Sequence, residues 1–201
     1  MPAIKKVSRE AIIDAAVEVL RDGGFSTVNA RSVAKKLGCS TQPIYLSFQS
    51  MDALKAALIE RATAMHAQRV RDFIHSHEGD DSRYTGYGMG FVHFAAQERQ
   101  LFRWLYLEDN QPGRFQDDML LSETLQTIMD EFGYDEATAR SFHRDMVYYA
   151  YGLAILANTG HLNLTEAELR EAFRREFCAL TAIYGAPPKL PEFARKGGAA
   201  L

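Results

Sequence analysis

The chain has too few cysteines for a disulfide framework, and Cys39 and Cys178 have no partner spacing for a zinc site. A reducing compartment fits that usage. There is no apolar run of about 18 residues and no basic-then-apolar leader ending in small residues, so neither membrane spanning nor export is expected. The cytoplasm is the expected location. Alternating apolar and polar runs bounded by turn dipeptides are missing, which removes a β-sheet architecture. The metalloprotease pair His-Glu-x-x-His, the elbow Gly-x-Ser-x-Gly and a phosphate-binding Gly-Lys-Ser/Thr are missing too. Tyr87 lies in Gly86-Tyr87-Gly88-Met89-Gly90, which follows no strand and reads as close helix packing rather than a phosphate loop. His75, His77 and Glu78 are the one local cluster of metal-ligand types, at an expected helix end where solvated polar residues belong. No catalytic residue, metal ligand or cofactor is nominated.

What is present is helical periodicity over 201 residues that are 47% hydrophobic, enough to bury a full core. The expected fold is all-α. Ser8 can cap a first helix striped by Ile12, Ala16, Val17 and Leu20 and ended by Gly23-Gly24, after which Phe25 turns back into the core. Ser50 can cap a long helix running to about His77, with Leu54, Leu58, Ala62, Met65, Val70, Phe73 and Ile74 on one face. The segment 78–82 interrupts it. Helices are then expected at about 83–98, 101–108, 115–132, 136–160 and 166–184. Asn110-Gln111-Pro112-Gly113 closes one pair, Gly133 and Gly160 terminate two more, and Thr165 with Glu168 makes a capping box.

Between the first and the long helix lies a pattern of another kind. Asn29 can cap a short helix with Val33 and Leu37 on its apolar face, and Gly38 stands where the chain must leave with positive φ. A second start follows almost at once: Ser40 can accept from free N–H groups, and Pro43 falls in the first turn, where its missing N–H breaks no helical bond. Small Ala34 permits close approach. Ile44 and Phe48 are expected to pack on Val33 and Leu37, leaving Thr41, Gln42 and Tyr45 outward. This reads as a helix-turn-helix DNA reader, the plain alternative being a helical hairpin with a glycine cap. Charge division agrees: residues 1–50 carry +3 while the rest carry −6, a basic reader on an acidic body.

Residues 8–58 resemble the N-terminal domain of the TetR family of bacterial transcriptional repressors. The resemblance rests on Ile12-x3-Ala16-x3-Leu20-x3-Gly24-Phe25, then Val33-Ala34-x2-Leu37-Gly38-x-Ser40, then Ile44-Tyr45-x2-Phe48 and Leu54. Residues 91–103 are similar, less specifically, to the body domain of one TetR subgroup. The resemblance implies a helix-turn-helix domain over 1–50 and a helical effector-binding and dimerisation domain over 51–185, while the three prolines and Gly-Gly within 186–201 read as a loose tail. It also implies a homodimer built on the last two long helices and a repressor released from a pseudo-palindromic operator by a small, largely apolar effector. An adaptor of the same fold acting through a protein partner is the alternative. Members commonly carry lysine where this chain has Met51, and Lys55 one turn later is the expected substitute for that phosphate contact.

The candidate DNA-binding residues are Arg31, Ser32, Lys35, Ser40, Thr41, Gln42, Tyr45, Leu46 and Lys55. Among them Gln42 is the sharpest, because an amide matches the acceptor and donor of adenine in the major groove. Lys5 and Lys6 are expected to form an N-terminal arm. For the effector the candidates are Phe91, Phe94, Trp104, Tyr148 and Tyr151 with His93 and Asn158 as polar contacts, although such aromatics serve a core as readily as a ligand. For the dimer interface they are Tyr149, Leu153 and Leu156 of one helix and Phe173, Phe177 and Leu180 of the next, whose apolar stripes exceed what two helices bury alone.

Overall fold

A computed structural model describes residues 7–77, 82–108 and 120–189, and among these there is no strand. The helices are α1 (Arg9–Gly23), α2 (Ala30–Leu37), α3 (Gln42–Ser47), α4 (Met51–Ser76), α5 (Arg83–Gln97), α6 (Arg99–Phe102), α7 (Leu121–Phe132), α8 (Glu136–Thr159) and α9 (Glu166–Tyr184). A 3-10 turn covers Phe25–Thr27, and α6 continues as a π-helical stretch over Arg103–Leu107 where a plain helix over 101–108 is expected. Local chemistry sets most boundaries. Ser8 accepts from the Ala11 N–H at 3.1 Å, Ser50 from Ala53 at 3.2 Å, and Thr165 with Glu168 forms the reciprocal box that starts α9. Left-handed Gly133 and Gly160 end α7 and α8. No helix among the described residues is long and apolar enough to cross a membrane, and no group of three or more His, Cys, Asp or Glu side chains among them is placed to hold a metal ion.

The chain divides into two compact units. The first takes the described residues up to Met65 and, after an excursion of the chain, those from Glu98 to Glu108. Its partition therefore differs from a boundary at residue 50. Ile12, Ala16, Leu20, Val33, Leu54 and Leu58 are fully buried there. The returning segment is bound by polar and aromatic contacts together: Arg21 donates twice to the Glu98 carboxylate at 2.8 and 2.5 Å, and Trp104 stacks on Phe25 with ring centroids 4.7 Å apart. Arg61 spans Asp14 at 2.8 Å and Glu10, tying α4 to α1.

The second unit comprises the described residues His66–Gln97 and 120–189, with α5 packed chiefly on α8 and flanked by α7 and α9. Glycine makes this packing close. A Cβ at Gly90 would stand 3.2 Å from the Val70 Cα, and one at Gly88 would stand 2.6 Å from the Phe173 ring. Phe132, Phe142, Phe177, Tyr84 and Tyr134 fill one end of the unit with rings. At its margin Lys189 donates from N to the Phe132 carbonyl and from Nζ to the Asp130 carbonyl, both at 2.8 Å, so the tail is docked at its start. Residues 190–201 of the expected loose tail lie outside the described residues, as do Lys5, Lys6, the segment 110–113 and residues 115–119 of the expected helix.

Candidate nucleic-acid interface

In the first unit the geometry begins with a cap. Asn29 is extended and its Oδ1 accepts from Arg31 and Ser32 N–H groups at 3.0 Å each, while the Ser32 hydroxyl accepts from the Asn29 N–H at 3.0 Å and donates to the Thr27 carbonyl at 2.7 Å. Ser32, expected at a phosphate, is thus occupied in holding the start of α2. Gly38 ends that helix at φ +65°, and the Cys39 N–H returns to the Ala34 carbonyl at 3.0 Å.

The second start differs from expectation. Thr41, already in the α region, holds the cap position of α3, and its side chain makes no capping bond; Ser40 is not the cap. Pro43 within the first turn removes one of the N–H groups that a cap would serve, so little is lost. With only six residues, α3 is fixed from its inner face: Ile44 and Phe48 are buried with Val33, whereas Leu37 is half-exposed. Its outer face presents Gln42, Tyr45 at 56% and Leu46 at 79% exposure, with Thr41 half-buried beside them.

The cations fall into two sets. Arg31 and Lys35 are exposed and make no ion pair among the described residues. Lys36 is paired with Glu18 and Asp22 at 3.1 and 3.2 Å, which raises its pKa. Lys55, expected at a phosphate, carries its ammonium 4.8 Å from the Phe25 ring centroid.

The second unit scatters the other candidates. Phe91 and Tyr151 meet at 5.0 Å, and Phe91 and Phe94 lie 5.6 and 4.8 Å from the ring of His66, a buried residue that sequence reading passed over. The spacing of four through Leu58, Ala62, His66, Val70 and Ile74 is the signal that would have found it. Burial pushes its pKa down to about 4, so it is neutral at physiological pH. His93 stands against Phe73 at 4.8 Å, and burial lowers its pKa, opposed by Glu166. Asn158 is buried and donates to the Ala95 carbonyl at 2.8 Å. Trp104 belongs to the first unit, where it stacks on Phe25, and Tyr148 is 57% exposed. A separate cavity of about 150 Å³ lies among Phe73, His77, Arg83, Met89, Glu131 and Arg170.

The expected interface residues are also redistributed. Phe173, Phe177 and Leu180 are buried within the unit, Phe177 against Phe132 and Phe142, because that stripe of α9 faces its own core. Tyr149 meets Phe173 edge-on at 5.9 Å, Leu153 is half-buried, and Leu156 alone of the six is exposed, at 43%. The open faces are Tyr148, Gly152, Ile155 and Leu156 on α8 and Cys178, Ala179, Ala182 and Ile183 on α9.

Residues 12–58 match the family described as bacterial regulatory proteins, tetR family. Among solved structures, the chain is similar to a TetR-like transcriptional regulator from Rhodococcus sp. RHA1, at 20% identity over 88% of this chain and 95% of that one, TM-score 0.57. It is also similar to a TetR family member from Streptomyces coelicolor A3, at 19% identity over 84% and 96%, TM-score 0.58. A TetR family transcription regulator from Marinobacter aquaeolei VT8 has 18% identity over 85% and 94%, TM-score 0.60. At these identities the likeness shows the fold. No curated protein matches the chain in sequence.

Proposed function

We propose, from the premise that residues 12–58 form a tetR-family domain on the fold of TetR-like regulators, that this protein is a sequence-specific DNA-binding transcriptional regulator. The observation that carries the reading is the outer face of α3. A leucine at 79% exposure beside an exposed glutamine and tyrosine, on a helix too short to be stable alone, suits a surface that a partner covers. Gln42 reads adenine, Leu46 meets a thymine methyl, Thr41 and Tyr45 take a base edge and a phosphate, and Arg31 and Lys35 hold phosphates along α2. Ser32 positions α2 instead of touching DNA, and Lys55 reaches a phosphate only by leaving the Phe25 ring.

Two copies joined through the open faces of α8 and α9 would present two readers to a pseudo-palindromic operator. The support is the row of Tyr148, Ile155, Leu156 and Ile183, too apolar for water on both helices at once. An uncharged, largely apolar effector seated against His66, Phe91 and Tyr151 releases the operator, acting through α4, which is continuous from Met51 to Ser76. The protein is then a cytoplasmic repressor and a binding protein rather than an enzyme.

Selection of bound duplexes from a random pool, with and without cell extract, tests this directly. Enrichment of an inverted repeat, weakened by extract, is the expected result. A pool that stays random after repeated rounds would remove the DNA-reading function and favour a protein-binding adaptor.

A further inference from the structure

We propose that Arg9 is a positioning residue for α3, acting through the ring of Phe48 rather than as a phosphate ligand; this rests on reading α3 as the DNA reader. Arg9 occupies the first position of α1, directly after the Ser8 cap. A cation there opposes the helix dipole, which favours acids such as the adjacent Glu10, so the local chemistry of α1 does not account for it. Its carbon Cζ stands 4.8 Å from the centroid of the Phe48 ring. The acids around it are engaged elsewhere: Glu10 and Asp14 take Arg61, and Arg9 makes no ion pair among the described residues.

Phe48 is where α3 ends. Its N–H donates to the Ile44 carbonyl at 2.8 Å, its backbone is extended, and its ring is buried. Since α3 has six residues and no side-chain cap at its start, its rotation about its own axis depends on two inward anchors, Ile44 and Phe48. Rotation matters greatly here. At a side-chain radius of about 5–6 Å, a turn of roughly 15° displaces the tips of Gln42 and Tyr45 by about 1.5 Å, half a hydrogen bond's length. A guanidinium held over the Phe48 ring joins the start of α1 to the end of α3 and resists that turn.

The test uses the full chain, the duplex enriched from the random pool and a scrambled duplex, with Arg9→Gln, Arg9→Lys, Phe48→Leu and the double variant Arg9→Gln/Phe48→Leu. Arg9→Gln is expected to weaken the enriched duplex about two- to fivefold per reader, leaving the scrambled duplex and the salt slope unchanged. Arg9→Lys restores part of the loss, and Arg9→Gln adds nothing once Phe48 is leucine. Equal weakening of both duplexes, with a salt slope shallower by about 0.9, identifies a phosphate ligand and overturns the proposal. An Arg9→Gln variant that reads both duplexes like the parent overturns it as well. A second arm needs no DNA: amide exchange at Phe48 should speed up about two- to fivefold in free Arg9→Gln protein while the melting temperature stays nearly constant. Unchanged exchange overturns the proposal even if Phe48→Leu fails to fold. If the parent protein prefers no duplex, the DNA reading fails and the exchange arm still decides whether Arg9 holds α3.

Discussion

Replacing Gly88 and Gly152 separately by alanine makes the same chemical change in two helix interiors and should give opposite signs. Alanine gains about 0.8–1 kcal/mol over glycine in a helix, and that term is common to both. At Gly152 a Cβ meets nothing within 4 Å in the single chain, so the variant should be more stable by about that amount wherever a second copy leaves that position uncovered. At Gly88 the new Cβ would stand 2.6 Å from Cε1 and 2.7 Å from Cζ of Phe173, a buried ring already set edge-on against Tyr149. Overpacking of this kind costs about 1–3 kcal/mol, leaving Gly88→Ala between neutral and about 2 kcal/mol destabilised. The difference between the variants is free of the propensity term and should be about 1–3 kcal/mol, several degrees of melting temperature for a chain this size. Denaturant midpoints at an unchanged slope, measured at several protein concentrations, would report it. Equal stabilisation of both variants would refute the argument that Phe173 and α5 are in rigid contact. A concentration-dependent loss at Gly152 would mean that a second copy approaches α8 there.

Gln42→Ala should lose about 1–3 kcal/mol on the enriched duplex and little on a scrambled one, whereas Lys35→Ala should weaken both alike and flatten the salt slope; titrations at three salt concentrations distinguish them. Ile183→Glu, at a position 71% exposed in the single chain, should yield a folded monomer by sedimentation, while Phe173→Ala should cost about 3–5 kcal/mol of stability. Acid should destabilise the protein through its histidines. His66 and His143 are held neutral down to about pH 4 by burial, but an unfolded histidine takes a proton below about 6.5, so the unfolded state binds more protons in that window. Stability therefore falls as pH drops from about 6.5 to 4, by up to about 1.4 kcal/mol per unit for each of these two histidines, and His66→Leu should make the slope shallower by up to that amount in denaturant melts.

The parts legible in advance share a short range. Asn29, Gly38, Gly133, Gly160 and the pair Thr165 and Glu168 act on backbone groups within a few residues, so their chemistry can be read in a line of sequence. Even there, a competing local choice misled the reading at Ser40, because Pro43 had already removed one N–H and Thr41 took the cap position. The body was harder. The stripe Phe173, Phe177 and Leu180 declares an amphipathic helix, but periodicity says only that the stripe is covered, not by what. It is covered from within, and the open face of α9 is the smaller-residue side holding Ala179, Ala182 and Ile183.

By itself, then, the sequence determined an all-helical fold, most of its caps and glycine stops, and the two short helices with Gln42 and Tyr45 facing out, because each follows from hydrogen bonds and spacings inside one or two turns; Thr41, expected outward with them, is half-buried. Only the tertiary structure decided which unit holds Trp104, that His66 is the buried partner of Phe91 and Phe94, which faces of α8 and α9 stay open, and that Arg9 meets Phe48. Those outcomes depend on contacts between residues far apart in the chain, where many pairings satisfy the same periodicity and close packing selects one.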